Sequence, residues 1–377
     1  MQKHKSSPAS WVQIDKEALE HNIRMYKNIT RHALLAPVIK SNAYGHGMEL
    51  IAKICDQNPL VDMLCVVSVR EALLLRREGI TKPLLVISIL DDGLEEAVAH
   101  DIDLVAYDLE TITELNAIGQ RLNKKAQIHL KFDTGLSRLG LHSDNLLALV
   151  EQIHSLPFIT IRGIFTHFAE SESDDQTFTN HQLTQFNTLL AELDAREIHI
   201  PLKHSACTAA ITASTANHCT MVRLGIGLYG LWPSQENKQL TEQLYPNFSL
   251  KPAMTWKTRI IQIKDIPAGS YIGYDRSHQV DRPTRLAILP VGYWDGFDRR
   301  LSNKGQVLIN NQLAPIRGKV AMNLCIVDIT GLDVSVDHEV TLLGNHQDIT
   351  ADDIAGLCET INYEIVTRIN PLLPRTI

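Results

Sequence analysis

From residue 34 to about residue 230 the chain alternates short apolar runs with longer stretches whose apolar positions recur every three or four residues. The runs fall at 34–39, 63–67, 84–89, 103–107, 127–133, 161–168, 202–206 and 221–229. Continuous apolar runs of this length read as strands buried on both faces. Between them, 69–78, 109–122, 144–155 and 175–195 carry the spacing of amphipathic helices. Eight strands, each reached through a helix, predict a (β/α)8 barrel of the TIM type. A doubly wound open sheet is the alternative, but eight evenly spaced strands suit closure better. In a barrel the chemistry gathers at the carboxyl ends of the strands. Those ends hold Lys40, Lys131 with Arg138 just beyond, His167, Ser205, and Arg223 with Tyr229.

The pattern changes near Leu231-Trp232-Pro233-Ser234, where a polar segment runs to about Phe248. Alternating stretches follow at 254–263, 284–291, 306–309, 314–329 and 339–343, with frequent turn residues between them. Such a β-rich, helix-poor region predicts a C-terminal, mostly antiparallel β-domain. Thr350-Ala351-Asp352-Asp353 caps one late helix over 351–360. The expected class is therefore α/β plus β, with a barrel over residues 12–240 and a β-domain over 241–377. Residues 11–14 precede the barrel pattern and are available to pair with the C-terminal sheet.

Composition narrows the picture. A chain of 377 residues is long for one core, which agrees with two domains. The net charge of −7 argues against nucleic acid or an anionic membrane as the main partner. Met1-Gln2-Lys3-His4-Lys5-Ser6-Ser7 is basic, but no apolar signal core follows it. No apolar run approaches the roughly 18 residues of a membrane span. The expected location is the cytoplasm. Six scattered cysteines without a C-x-x-C pair read as free thiols in a reducing compartment. Histidines are plentiful, but without an H-E-x-x-H pattern no metal is indicated.

The stretch Ala36-Pro37-Val38-Ile39-Lys40-Ser41-Asn42-Ala43-Tyr44-Gly45-His46-Gly47 organises the candidate chemistry. A lysine closing an apolar strand is costly to bury without a partner or a covalent role. Gly45 and Gly47 let the backbone approach a ligand, and Tyr44 stands four residues on. A partly desolvated lysine has a lowered pKa and can form a Schiff base with an aldehyde such as pyridoxal phosphate.

This stretch resembles the cofactor-lysine segment of the alanine racemases, enzymes of pyridoxal-phosphate fold type III. Further segments carry the same likeness: Lys131-Phe132-Asp133-Thr134-Gly135-Leu136-Ser137-Arg138-Leu139-Gly140, Gly163-Ile164-Phe165-Thr166-His167-Phe168-Ala169, and Met221-Val222-Arg223-Leu224-Gly225-Ile226. Leu289-Pro290-Val291-Gly292-Tyr293-Trp294-Asp295-Gly296 and Gly318-Lys319-Val320-Ala321-Met322 complete it, in the family's order.

The resemblance implies a two-base racemisation of alanine. Lys40 and Tyr274 would face opposite sides of the cofactor–substrate adduct, because inversion needs one base on each face. It implies that His167 and Arg223 support Tyr274. Arg223 would face the pyridine nitrogen, and a guanidinium that only donates cannot leave that nitrogen protonated. Ser205, Gly225, Ile226, Tyr44 and Tyr363 would hold the cofactor phosphate. Arg138 would bind the phenolic oxygen and the substrate carboxylate. Met322 would line the substrate site, and Lys131 would be N-carboxylated so that it orients Arg138. A plain Lys131–Asp133 pair remains the alternative there. The family is homodimeric, with Tyr274 and Met322 serving the partner's barrel, and its product would supply D-alanine for peptidoglycan.

Gly225-Ile226-Gly227-Leu228-Tyr229-Gly230 also spells G-x-G-x-x-G, but Trp232-Pro233 breaks the helix that a dinucleotide site requires. A barrel phosphate site fits it better. Three positions depart from the family text. Asn323 replaces an aspartate after Met322, His204 replaces an asparagine before Ser205, and Pro201 stands where histidine is usual. Asn323 keeps open a serine or broad-specificity racemase. A fold-III decarboxylase would need segments absent here, and a single-barrel pyridoxal-phosphate binding protein would lack the domain carrying Tyr274.

Overall fold

The computed structural model describes residues 8–377, so the basic stretch 1–7 lies outside the described residues. The eight apolar runs form the strands Leu34–Pro37, Leu64–Ser68, Leu84–Ile89, Asp103–Ala106, Ala126–Lys131, Ile159–Phe165, Leu202–His204 and Met221–Leu224. All pair in parallel. The second to seventh form one continuous sheet, and the first and last pair with each other from Leu34↔Met221 to Pro37↔Leu224. The two sets join on both sides. Val38 bridges Cys65, and Ile39 N–H donates to Cys65 O at 2.9 Å. Opposite, Thr220 N–H reaches Lys203 O and Arg223 N–H reaches Ala206 O, each at 3.0 Å. The result is a closed (β/α)8 barrel.

Local chemistry sets the helices around it. Ser68 caps Val69–Arg77 by accepting Glu71 N–H, and Asp108 caps Leu109–Leu122 by accepting Thr111 N–H. Asn123, at φ 49°, ends the latter helix in the left-handed conformation that asparagine tolerates. Each fully buried strand leucine or isoleucine contributes roughly 1.5–3 kcal/mol of transfer free energy. This unit comprises Glu17–Ala43 and Met48–Lys251. It runs past the compositional shift near 240 because the helix Gln235–Leu244 belongs to it: buried Asn237 donates to Ala209 O at 3.3 Å.

Among the described residues, the second unit comprises 8–16, Tyr44–Gly47 and Pro252–Ile377. Its largest sheet runs in the order Gln312–Pro315, Gln306–Ile309, Glu339–Leu343, Met254–Arg259, Ser10–Ile14, Arg375–Thr376. Trp11 pairs with Lys257 in an antiparallel register. Gln262–Ile266, Thr284–Leu289 and Cys325–Asp328 form a second antiparallel sheet. A short hairpin, Tyr271–Ile272 with His278–Gln279, is anchored by Ile272 in a cluster with Val280 and Leu286.

Two apolar stretches divide where the sequence pattern runs on. Residues 314–329 split into Gln312–Pro315 and Cys325–Asp328, because Gly318 at φ 78° turns the chain between them. Residues 221–229 leave the strand after Leu224 and coil into a 3-10 turn, Ile226–Tyr229, closed by Gly230 at φ 80°. The late helix covers Ala351–Leu357, with Thr350 and Asp353 forming a reciprocal capping box. Among the described residues, no helix is long and apolar enough to cross a membrane.

Candidate active site

Lys40 stands where the first barrel strand ends, and the backbone after it is unusual. Ser41, Asn42, Ala43 and Tyr44 all have φ between 52° and 55°, a full left-handed turn without a glycine. Left-handed conformation costs roughly 1–2 kcal/mol per L-residue, so neighbouring bonds must hold the turn. Ala43 N–H donates to Ile39 O at 2.9 Å. One Glu71 carboxylate accepts Ser41 N–H at 2.8 Å and Val67 N–H at 2.9 Å. Asn42 Oδ1 accepts Met48 N–H at 3.0 Å, at the start of the helix Met48–Gln57. Asn42→Ala removes that bond and a residue suited to the left-handed region, and should cost about 1–2 kcal/mol in chemical denaturation. An unchanged midpoint would mean that the turn is held otherwise.

Just beyond, within the β-rich unit, Gly45 has φ 85°, and a Cβ there would lie 2.0 Å from Val366 O. The Arg375 guanidinium donates to Gly45 O at 2.9 and 3.2 Å. That glycine is therefore required twice, by its φ and by the close approach.

Within the barrel unit four cations influence one another. Desolvation, then the charge of Arg138, lowers the pKa of the half-buried Lys40 amine, with Arg223 adding to the effect. Lys131 ends the strand Ala126–Lys131 and is only 5% exposed. Burial, then Arg223 and Arg138, pushes its amine down to about 8. Lys131 Nζ and Arg223 Cζ lie 5.0 and 5.3 Å from the centre of the Phe165 ring. Asp133 spends its Oδ1 on the N–H groups of Gly135, Leu136 and Ser137 at 3.0, 2.9 and 3.2 Å, shaping the loop that carries exposed Arg138.

The Lys131 shift gives a stability prediction. Its folded pKa, about 8, lies below the unfolded value near 10.4, so the unfolded chain binds more protons between them. With Lys131 uncarboxylated, stability should therefore rise as pH increases from about 8 to 10, by at most about 3 kcal/mol. Lys131→Met should flatten that rise in thermal melts, and an identical pH slope in the variant would reject the assignment.

Arg223 is buried at the end of the last strand. Nη1 donates to His204 Nδ1 at 2.6 Å and to His204 O at 2.9 Å. Nη2 donates to Thr166 O at 2.8 Å and Ser205 O at 3.0 Å, with His167 Nδ1 farther away at 3.4 Å. The four Nη hydrogens are thus committed, and the remaining one is on Nε. Desolvation, then Arg223, holds half-buried His167 well below the usual histidine pKa, so its ring is neutral.

Gly225 and Ile226 lie in the turn after this strand. Gly225 N–H and Gly227 N–H donate to Thr208 Oγ1 at 3.0 and 3.3 Å. Ser205 is fully buried, and its hydroxyl donates to Asn217 O at 2.7 Å. Its hydrogen is committed, whereas Thr208, which the sequence reading did not single out, accepts two N–H bonds and keeps its own hydrogen to donate. Tyr229 donates its hydroxyl to Val38 O at 3.0 Å, bracing the first strand against the last.

Tyr44, Tyr274, Met322 and Tyr363 belong to the other unit. Tyr44 and Tyr363 have ring centres 6.1 Å apart. Tyr274 follows Gly273, whose φ 69° and ψ −165° are open essentially to glycine alone. Lys319 pairs with Asp275, tying the Tyr274 turn to the 318–319 segment. Tyr274 is 69% exposed and Met322 54% exposed, so both are presented on the surface of their own chain. Asp103 and His129, part of the buried network behind Arg223, were not singled out in the sequence. The available signal was a polar residue within an otherwise apolar strand.

Comparison with known proteins decides the family. The profile of "Alanine racemase, N-terminal domain" matches residues 14–233, and that of "Alanine racemase, C-terminal domain" matches 253–377. The chain belongs to the alanine racemase family. The alanine racemase of Methanococcus maripaludis is 37% identical over 372 residues, covering 97% of each chain. That of Halothermothrix orenii is 38% identical over 371 residues, covering 97% of this chain and 96% of its own. Among solved alanine racemases, the Clostridium difficile 630 structure superposes with a TM-score of 0.92 at 32% identity, covering 98% of this chain and 96% of that one.

Proposed function

We propose that the protein is a pyridoxal-phosphate-dependent alanine racemase that interconverts L- and D-alanine with two bases, Lys40 and Tyr274. The observation that carries this reading is the donor set of the barrel mouth. Lys40 has a lowered pKa, and Arg223 has every Nη hydrogen occupied and only Nε–H left to offer. An aromatic nitrogen that accepts one hydrogen bond matches that single donor. The Ile226 backbone amide and the Thr208 hydroxyl, with Tyr44 and Tyr363, would receive the phosphate, while Gly225 N–H and the Ser205 hydroxyl, spent on Thr208 Oγ1 and Asn217 O, shape the cradle around it. The residues therefore fit the group.

Pyridoxal phosphate, when bound, supplies an electron sink for the carbon that loses its proton. Lys40 anchors it, and the lowered pKa enlarges the share of neutral amine able to take a proton at Nζ. Tyr274 Oη holds or returns the proton on the opposite face. Neutral His167, with Nδ1 3.4 Å from Arg223 Nη2, stands behind that exchange. Arg138, exposed at the loop, receives the substrate carboxylate, and Met322 closes over the small side chain. Lys131, with an amine pKa of about 8, has roughly a tenth of its population neutral at pH 7, which suits reaction with carbon dioxide to an N-carboxylate. That anion would steady Arg138.

The protein works as a homodimer in which Tyr274 and Met322 complete the partner's barrel. Their exposure on their own chain supports this. Its location is the cytoplasm, and its product serves peptidoglycan. Uncharged, exposed Asn323 beside Met322 favours a second reading, a racemase accepting serine or several amino acids. Turnover of L-alanine and L-serine to their D-forms by the purified, cofactor-loaded protein tests both. A preference for alanine supports the main reading, and a serine preference replaces it.

A further inference from the structure

Barrels of this kind are filled mainly by layers of branched aliphatic side chains. Part of this barrel's interior is polar instead. Asp103, His129 and His204 stand on three different strands and are fully buried. Their contacts form one line. Arg223 Nη1 lies 2.6 Å from His204 Nδ1, His204 Nε2 lies 2.9 Å from His129 Nδ1, and His129 Nε2 lies 3.1 Å from Asp103 Oδ2. Arg162 Nη1 closes the far end on Asp103 Oδ1 at 3.0 Å.

The two ends dictate where the hydrogens sit. A guanidinium only donates, so His204 Nδ1 accepts. A neutral ring accepting at Nδ1 carries its hydrogen at Nε2, and that hydrogen points at His129 Nδ1. His129 therefore also carries its hydrogen at Nε2, directed at the Asp103 carboxylate. No other arrangement of two neutral rings satisfies the line. Burial, then the Arg223 charge, holds His204 well below its ordinary pKa, and burial lowers His129 as well, so both rings are neutral. Gly163 makes the space: a Cβ there would lie 2.2 Å from His129 Nδ1. On its other side His204 stacks on Phe165, with ring centres 4.8 Å apart and planes inclined by 5°.

We propose that Asp103, His129 and His204 are a positioning relay for Arg223, holding the one Nη hydrogen that no backbone carbonyl takes, so that Nε–H alone faces the cofactor nitrogen. The proposal rests on the pyridoxal phosphate reading above. The carboxylate polarises the two rings in series, which strengthens His204 Nδ1 as an acceptor without placing a charge beside Arg223. A buried polar line is seldom worth more to stability than aliphatic packing of the same volume. Its use lies in orientation.

Ring-nitrogen NMR on cofactor-free protein with labelled histidine, at neutral pH, tests the relay directly. His129 and His204 should both be neutral and protonated on Nε2; a hydrogen on Nδ1 of either ring overturns it. In the cofactor-loaded enzyme, Asp103→Asn should lower kcat per occupied site roughly 10–100-fold with KM for alanine little changed. Gly163→Ala, which alters no polar group, should lower kcat likewise by displacing His129 and should move the His204 resonances. Wild-type kcat per occupied site in either folded variant rejects the relay, since a purely structural role would change stability and occupancy instead. If neither variant folds, the wild-type ring resonances decide. A chain that took up no pyridoxal phosphate would refute the cofactor reading, while those resonances would still decide the relay.

Discussion

Lys40→Ala is expected to lower alanine racemisation by at least about ten-thousand-fold in both directions, because it removes an anchor and a base together. Lys40 ends the first barrel strand and precedes a left-handed turn held by Ile39 O, Glu71 and Asn42. None of those bonds uses the lysine side chain, so the turn should survive. What disappears is an amine whose pKa is lowered by desolvation and by Arg138. The absorbance of cofactor covalently joined to the chain should vanish with the activity. Joined cofactor in the variant would show that another residue is the anchor. Residual racemisation above about one part in a hundred, well outside the loss expected for a missing base, would show that Lys40 is not a base.

Tyr274→Phe should cost roughly 100- to 10,000-fold, and unequally. Proton removal from L-alanine should slow far more than removal from D-alanine, because only one face loses its base. Equal slowing would reject Tyr274 as a face-specific base. The turn beneath it is set by Gly273 backbone conformation and by the Lys319–Asp275 pair, and neither involves the hydroxyl. Mixing Lys40→Ala and Tyr274→Phe subunits gives a further reading. If sites are shared, half of the random dimers hold one intact site, which restores up to about a quarter of wild-type activity. No recovery on mixing would place both bases on one chain.

Much of the barrel was legible because strands buried on both faces leave unbroken apolar runs, as at Leu84–Ile89. Legibility failed where such a run continues through a turn. Residues 221–229 stay apolar although the strand ends at Leu224, since the 3-10 turn after it is buried too. The Lys40 segment was readable as chemistry but not as conformation. Propensity gives no reason for Ser41, Asn42, Ala43 and Tyr44 to adopt positive φ in succession; tertiary bonds impose it. The line behind Arg223 was hidden differently. Asp103, His129 and His204 are far apart in sequence, and only barrel closure makes them neighbours. His204 stood out as a departure from the family text that bears on how Arg223 is held, but its link to His129 and Asp103 could not be read. The Ser205 hydroxyl, expected to face a phosphate, instead donates to Asn217 O, a local bond that spacing does not reveal.

The most direct test of the central claim is incubation of the cofactor-loaded protein with L-alanine in deuterium oxide, following loss of the α-proton signal and formation of D-alanine together. Exchange accompanied by inversion is the predicted result, since it requires a working base on each face. Exchange without inversion would contradict the two-base account and remove Tyr274 from it, and no exchange at all would contradict alanine racemisation itself.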